Sequence, residues 1–162
     1  MKKILDSSNL ASEIKTLKQQ DKKIVFTNGC FDILHLGHAQ YLSESSKFGD
    51  VLIVGLNSDS SVKKLKGETR PINNENDRAT LLLYLACVDY VVIFDENTPE
   101  KLLELIKPDI YTKGADYTLE TLPEAKTVLG NGVKVEFINL VEVKSTTNVI
   151  RAIGNRWNFN FF

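Results

Sequence analysis

Short apolar runs recur along the chain, each followed by a longer stretch with apolar positions spaced three and four apart. The runs are KIVFTN (23–28), VLIVGLN (51–57), DYVVIF (89–94), DIYTKG (109–114) and VKVEFI (133–138). Near-continuous β-branched runs of this kind belong to strands buried on both faces, as in a parallel sheet. The stretches at roughly 38–48, 75–87, 98–107, 120–129 and 146–156 predict helices. Asn74 and Thr98-Pro99 read as helix starts, and SNLASEIKTLKQQ as an N-terminal helix capped by Ser7 or Ser8. The alternation predicts an α/β fold, a Rossmann-like open sheet of about five parallel strands with helices on both faces. No repeat or Gly/Ser linker divides it, so residues 1–162 are expected to form a single domain. Residues 1–21 would be a helical leader and 157–162 an aromatic tail.

Composition narrows the function. The chain has 162 residues, enough for one well-buried core. A formal net charge of −1 argues against general nucleic-acid binding, while a small anion needs only a local basic patch. The apolar runs are too short to span a bilayer, and MKKILDSSNL lacks the apolar stretch of a signal peptide. Cys30 and Cys87 are too few for a disulfide framework, so a cytoplasmic setting is expected.

In open parallel sheets, ligands bind beyond the carboxyl ends of the strands. The first run leads into Thr27–His38 and the second into Asn57-Ser58-Asp59. The fourth leads into Lys113-Gly114-Ala115-Asp116-Tyr117 and the fifth toward Lys144-Ser145-Thr146-Thr147. The chemically distinctive side chains therefore gather on one rim.

The stretch TNGCFDILHLGHAQYL (27–42) puts Cys30, Asp32, His35 and His38 within nine residues, and these are the chain's only two histidines. Four readings stand open. A metal site would use Cys30, His35 and His38 with Asp32, although structural zinc draws on paired spacings and no second pair exists. A nucleophilic Cys30 competes with the simpler view of a small buried hydrophobe. Two histidines satisfied by backbone on a helix surface are the bland reading. A phosphate cradle accounts for more. Gly29 and Gly37 permit close backbone approach, and a helix starting near His38 offers free N–H groups to an anion beside both imidazoles. Neither G-x-G-x-x-G nor G-x-x-x-x-G-K-[ST] occurs, so H-x-G-H is the candidate grip for a nucleotide.

NGCFDILHLGHAQYL resembles the signature of the H-x-G-H nucleotidyltransferases. GLNSDSSVKKLKGETRPI (55–72), NDRATLLLYLACVDYVVIFDENTPEKLLELIKPDIYTKGADY (76–117) and KSTTNVI (144–150) are similar to the adenylyltransferase domain of bacterial ADP-heptose synthases. The likeness covers nearly the whole chain. It implies transfer of AMP from ATP to D-glycero-β-D-manno-heptose 1-phosphate, giving ADP-heptose and pyrophosphate for the lipopolysaccharide core. It also implies a stand-alone form with a separate sugar kinase upstream, and Mg²⁺ bound mainly through the ATP phosphates. A homodimer is expected, with neither nucleic acid nor membrane as partner.

Carried onto matched positions, the resemblance makes His35 and His38 donors to the α-phosphate and the departing pyrophosphate. Lys63 and Lys66 would reach the triphosphate or sugar phosphate, and Arg78 the phosphates. Asn28, Gly29 and Phe31 would line the nucleotide, with Gly37, Asn57 and Lys113 on the same rim and Ser145, Thr146 and Thr147 adding hydroxyls. Asp32 would lie near the acceptor or the metal, Lys66 would approach the acceptor, and Asp116 the nucleotide or the acceptor; no protein ligand to a metal is assigned. Plain alternatives remain: a turn-forming Asp32, an Arg78 paired with Asp77 or Glu75, and a Ser/Thr run that only caps a helix. Glycerol-3-phosphate cytidylyltransferases carry an arginine where this chain has Leu140-Val141-Glu142-Val143-Lys144. A CTP-dependent enzyme of that kind is the first alternative function, and a non-catalytic nucleotide-binding module the second. The aromatic tail is expected to bury itself on the chain's own surface or against a second subunit.

Overall fold

In the computed structural model, residues 2–6, 8–139 and 145–157 are described. The expectations for residues 140–144, and for the aromatic tail beyond Trp157, lie outside them. The order is β1 (Lys3–Leu5), α1 (Leu10–Gln19), β2 (Ile24–Gly29), α2 (Leu36–Ser46), β3 (Val51–Asn57), α3 (Asp59–Lys66) and α4 (Glu75–Tyr84). Then follow β4 (Tyr90–Phe94), α5 (Glu100–Ile106), β5 (Ile110–Gly114), α6 (Ala125–Gly130), β6 (Lys134–Ile138) and α7 (Thr146–Trp157). The strands form one parallel sheet in the order β1-β4-β3-β2-β5-β6.

The Rossmann-like fold and the five expected strands are present, each within a residue of its predicted start and end. A sixth strand was not foreseen. β1 lies in the supposed helical leader and pairs with β4 from Lys3–Tyr90 to Leu5–Val92. Three residues are too few to show a period of two. α3 was also missed, because it buries only Ser61 and Val62 and has almost no apolar stripe. Asn74 caps α4 as expected, its Oδ1 accepting the Asp77 N–H at 3.0 Å. The N-cap of α1, however, is Asn9 rather than Ser8. Asp6 supplies the local anchor there, accepting the N–H groups of Ser8 and Asn9.

Side chains of β2 alternate between two cores, which is why the strand reads as an unbroken apolar run. Ile24 and Phe26 pack with Leu10, Ile14, Leu103 and Val128 of α1, α5 and α6. Val25 packs with Tyr41, Leu42, Ala79 and Leu82 of α2 and α4 on the other face. At the amino edge, aspartates at the heads of three strands cap the next strand over. Asp50 accepts from Lys23 N, Asp89 from Leu52 N and Asp109 from Ile24 N, at 2.7–2.9 Å. These bonds fix register at one end of the sheet and leave the carboxyl ends to shape a crevice. The strand order reverses between β2 and β5, where a ligand crevice is expected.

Tight packing at the α2–β3 turn makes a direct test. A Cβ on Gly49 would lie 2.6 Å from the Lys23 carbonyl oxygen and 2.8 Å from Val25 Cγ2, whereas one on Gly130 meets nothing within 4 Å. Gly49→Ala should therefore lower stability by about 1–3 kcal/mol in urea unfolding. Gly130→Ala should leave the midpoint unchanged or slightly higher. Equal midpoints for the two variants would contradict the packing described.

Candidate active site

The crevice beyond β2 is a cavity of about 640 Å³. Its floor is a buried hydroxyl network in which Tyr41 OH donates to Thr112 O at 2.8 Å and lies 2.7 Å from Thr27 Oγ1. Burial pushes the Tyr41 phenol up to about 12, so it serves as a neutral hydrogen-bonding group.

The turn after β2 carries the two histidines. Phe31 is held at φ 43°, a left-handed conformation that costs a non-glycine residue of order 1 kcal/mol or more. Its ring folds back over Gly29, where a Cβ would lie only 3.0 Å away, and meets His38 edge-on at 5.1 Å. His35 is the N-cap of α2, its Nδ1 accepting the His38 N–H at 3.4 Å. The two imidazoles stack with centroids 3.8 Å apart. Burial, and next the neighbouring His35, lower the His38 pKa to about 4, against a weaker opposite pull from the Ile33 backbone. His38 is therefore neutral near pH 7, and its Nδ1 is buried with no hydrogen-bond partner among the described residues. Both rings line the cavity, as do Asn28, Gly29, Phe31 and Gly37. Burial also raises the Cys30 thiol, which favours a small buried hydrophobe over a thiolate nucleophile there.

Asp32 lines the cavity but is spoken for. Its Oδ2 accepts from Arg70 Nε at 2.5 Å, and its Oδ1 accepts the N–H groups of Ile72 and Asn73 at 2.8 and 3.0 Å. Both carboxylate oxygens thus bind the protein, so Asp32 holds the loop before α4 rather than offering oxygens to an acceptor.

Arg78 also needs correction. It is 0% exposed and does not line the cavity. Its Nε donates to Asn73 O, Nη1 to Cys30 O and Asn57 O, and Nη2 to Asp59 Oδ1, all at 2.6–2.9 Å. Neither phosphate contact nor a pairing with Asp77 or Glu75 matches this placement; the guanidinium is a structural tie. Lys63 is exposed on α3 away from the cavity, while Lys66, one turn on, lines it. Asn57 lines it too, with its amide donating to Ser61 Oγ at 3.0 Å.

On the β5 side, Lys113 pairs with Glu124 at 3.2 Å and sits over the rings of Tyr111 and Tyr117. Glu124 also receives the Tyr111 hydroxyl, which lies 2.6 Å from Asn28 Oδ1. That carboxylate raises the Tyr111 pKa further, beyond the effect of burial. Asp116 lines the cavity with neither hydrogen bond nor ion pair among the described residues. Ser145 Oγ accepts the Asn148 N–H at 3.1 Å, and Thr146 Oγ1 donates to Ile33 O at 3.5 Å, tying α7 to the histidine turn. Capping and rim placement coexist in Ser145, and Thr147 joins the same wall. Arg70, Glu124 and Tyr117 line the cavity without having been singled out from the sequence. Among the described residues, no three His, Cys, Asp or Glu side chains converge as a metal site, and no helix is long and apolar enough to cross a membrane.

Residues 26–152 match the cytidylyltransferase-like family. The bifunctional protein HldE of Aliarcobacter butzleri (strain RM4018) is 53% identical over 161 residues, covering 92% of this chain and 33% of its own length. The chain spans about a third of the length of the curated relatives it matches. Among solved structures, the lipopolysaccharide core biosynthesis protein from Thermoplasma volcanium GSS1 is 34% identical with a TM-score of 0.62, covering 76% of this chain and 99% of that one. Pantothenate synthetase from Thermus thermophilus superposes with a TM-score of 0.66 at 15% identity, over 92% of this chain and 67% of that one, which bears on the fold alone.

Two outcomes follow from this geometry. The folded chain resists protonating His38 until about pH 4, whereas the unfolded chain takes that proton near 6.5. The unfolded state then holds more protons, so stability falls as pH drops through that window. Melting temperature should decline between about pH 7 and 5, and His38→Asn should flatten the decline. A slope untouched by the substitution would place the titration elsewhere. Arg78→Lys, which loses the fork, should cost about 3 kcal/mol by chemical denaturation. A variant as stable as wild type would remove the tie assigned to it.

Proposed function

The chain belongs to the cytidylyltransferase-like family, and from that membership we propose that it is a nucleotidyltransferase moving AMP from ATP to D-glycero-β-D-manno-heptose 1-phosphate. The observation that carries the reaction is the stacked imidazole pair at the start of α2, open to a cavity of about 640 Å³. The substrate rests on the likeness to ADP-heptose synthases, supported by the relative named for lipopolysaccharide core biosynthesis. A separate sugar kinase upstream, a cytoplasmic setting and a homodimer belong to the same proposal.

A phosphate oxygen of the sugar attacks the α-phosphorus as the bond to the bridging oxygen breaks, and that electron pair leaves with pyrophosphate. The nucleophile is already ionised, since a phosphate monoester's second pKa is about 6. No general base is required, and catalysis reduces to alignment and charge stabilisation. A neutral His38 suits this work, because it donates a hydrogen bond without a proton having to be moved. The N–H groups opening α2 and the Thr146–Thr147 wall would receive the phosphate oxygens. Magnesium fits as a companion of the triphosphate, screening its charge, with Asp116 the cavity carboxylate free to meet it or the ribose hydroxyls.

Pyrophosphate release should be seen with Mg²⁺, ATP and heptose 1-phosphate, and not with CTP or with glycerol 3-phosphate. Turnover confined to CTP and glycerol phosphate would replace the substrates. ATP binding without turnover on either acceptor would favour a binding module. His35→Ala and His38→Ala should each lower kcat roughly 10²–10³-fold with the fold intact. Near-wild-type turnover in both would remove the cradle.

A further inference from the structure

Arg70 stands in the loop between α3 and α4 and lines the cavity. Its Nε donates to Asp32 Oδ2, and its side chain is 14% exposed against 1% for Asp32. The second Asp32 oxygen takes the Ile72 and Asn73 N–H groups, so one buried carboxylate fixes both the loop and the guanidinium that the loop presents. Both terminal nitrogens of Arg70 lack hydrogen-bond partners among the described residues. A fork anchored through Nε, with its terminal edge open in a cavity, matches two oxygens of one phosphate.

We propose that Arg70 anchors the phosphate of the acceptor, a phosphate monoester, and that Asp32 is its positioning residue; the inference rests on the transferase reading. Geometry selects the acceptor over the nucleotide. In-line displacement puts the entering and leaving oxygens on opposite sides of the α-phosphorus. Lys113 is next to last in β5 and Ser145–Thr147 follow β6, both strands lying across β2 from β3, while Lys66 and Arg70 belong to the segment that follows β3. The histidine turn follows β2 and stands between the two groups. Pyrophosphate therefore departs toward the hydroxyl wall, and the acceptor enters beside Arg70. Arg70 neither gives nor takes a proton; it holds the attacking phosphate in line.

The test is calorimetry on the full chain. Heptose 1-phosphate is titrated into protein saturated with Mg²⁺ and α,β-methylene-ATP, and the analogue into protein alone. Arg70→Gln should weaken the monoester roughly 30–100-fold and the analogue less than about 3-fold. Arg70→Lys should recover part of the loss, and it replaces Arg70→Gln as the deciding variant if circular dichroism finds the latter unfolded. Asp32→Asn should raise the acceptor KM while leaving that of ATP within about 3-fold, a split that general loosening would not produce. If wild type binds no heptose 1-phosphate, the proposed substrate falls, and glycerol 3-phosphate takes its place in the titration. Loss of that monoester on substituting Arg70 would sustain the anchor. Equal monoester affinity in wild type and variant, a loss confined to the ATP analogue, or a wild type that binds neither monoester would overturn it.

Discussion

The Arg78 guanidinium, with no solvent exposure, bonds four residues in three separate stretches of chain. A charge so buried costs several kcal/mol in lost hydration unless each nitrogen finds a partner. Here the carbonyls of Cys30, Asn57 and Asn73 and the carboxylate of Asp59 meet it. The ends of β2 and β3 and the start of α3 are thereby drawn onto α4. Asn73 links this tie to a second buried charge of opposite sign. Its carbonyl accepts from Arg78, while its N–H donates to the Asp32 carboxylate and its side-chain amide to the Asp32 backbone carbonyl. Asn73 thus stands between the two charges, and the loop before α4 is held by both.

The histidine turn is braced by that frame. Arg78 holds the Cys30 carbonyl immediately before Phe31, the residue with the strained left-handed backbone. Strain of this kind persists only where surrounding bonds over-determine it. Asp32 follows and is locked on the other side. Pinned at both flanks, Phe31 turns its ring onto Gly29 and His38, and α2 begins with Gly37 and His38 on the cavity wall. Thr146 closes the arrangement from α7 by donating to the Ile33 carbonyl.

Much of this was legible because burial on two faces leaves a plain mark in sequence. β2 to β5 read as apolar runs, and three of the runs are headed by the aspartates that cap neighbouring strands. β1 and α3 left no such mark, one being three residues long and the other mostly exposed. The rim was legible from the rule that parallel sheets bind at their carboxyl ends. Individual roles were not. Arg78 shares the buried face of α4 with Ala79 and Leu82, a spacing that does place it inward, yet a charge on a helix ordinarily reads as surface. The Arg70–Asp32 pair joins positions 38 apart with no period between them, so only the fold brings it into view.

The balance of charge around the cavity bears on how a triphosphate could be received. Lys66, Arg70 and Lys113 line it, and so do Asp32, Asp116 and Glu124. Two of the cations are held by buried carboxylates, and the buried imidazole of His38 adds no charge near neutral pH. The wall therefore offers fixed donors more than net positive potential. Bare electrostatic attraction would be weak in such a site, whereas donors that need no reorganisation act fully at the moment charge shifts. In the proposed reaction, neutralising the triphosphate would fall largely to a cation bound with it. On that proposal the protein's part would be directional, with the imidazoles at the α-phosphorus, hydroxyls and helix N–H groups toward the leaving side, and an anchored guanidinium on the side of attack.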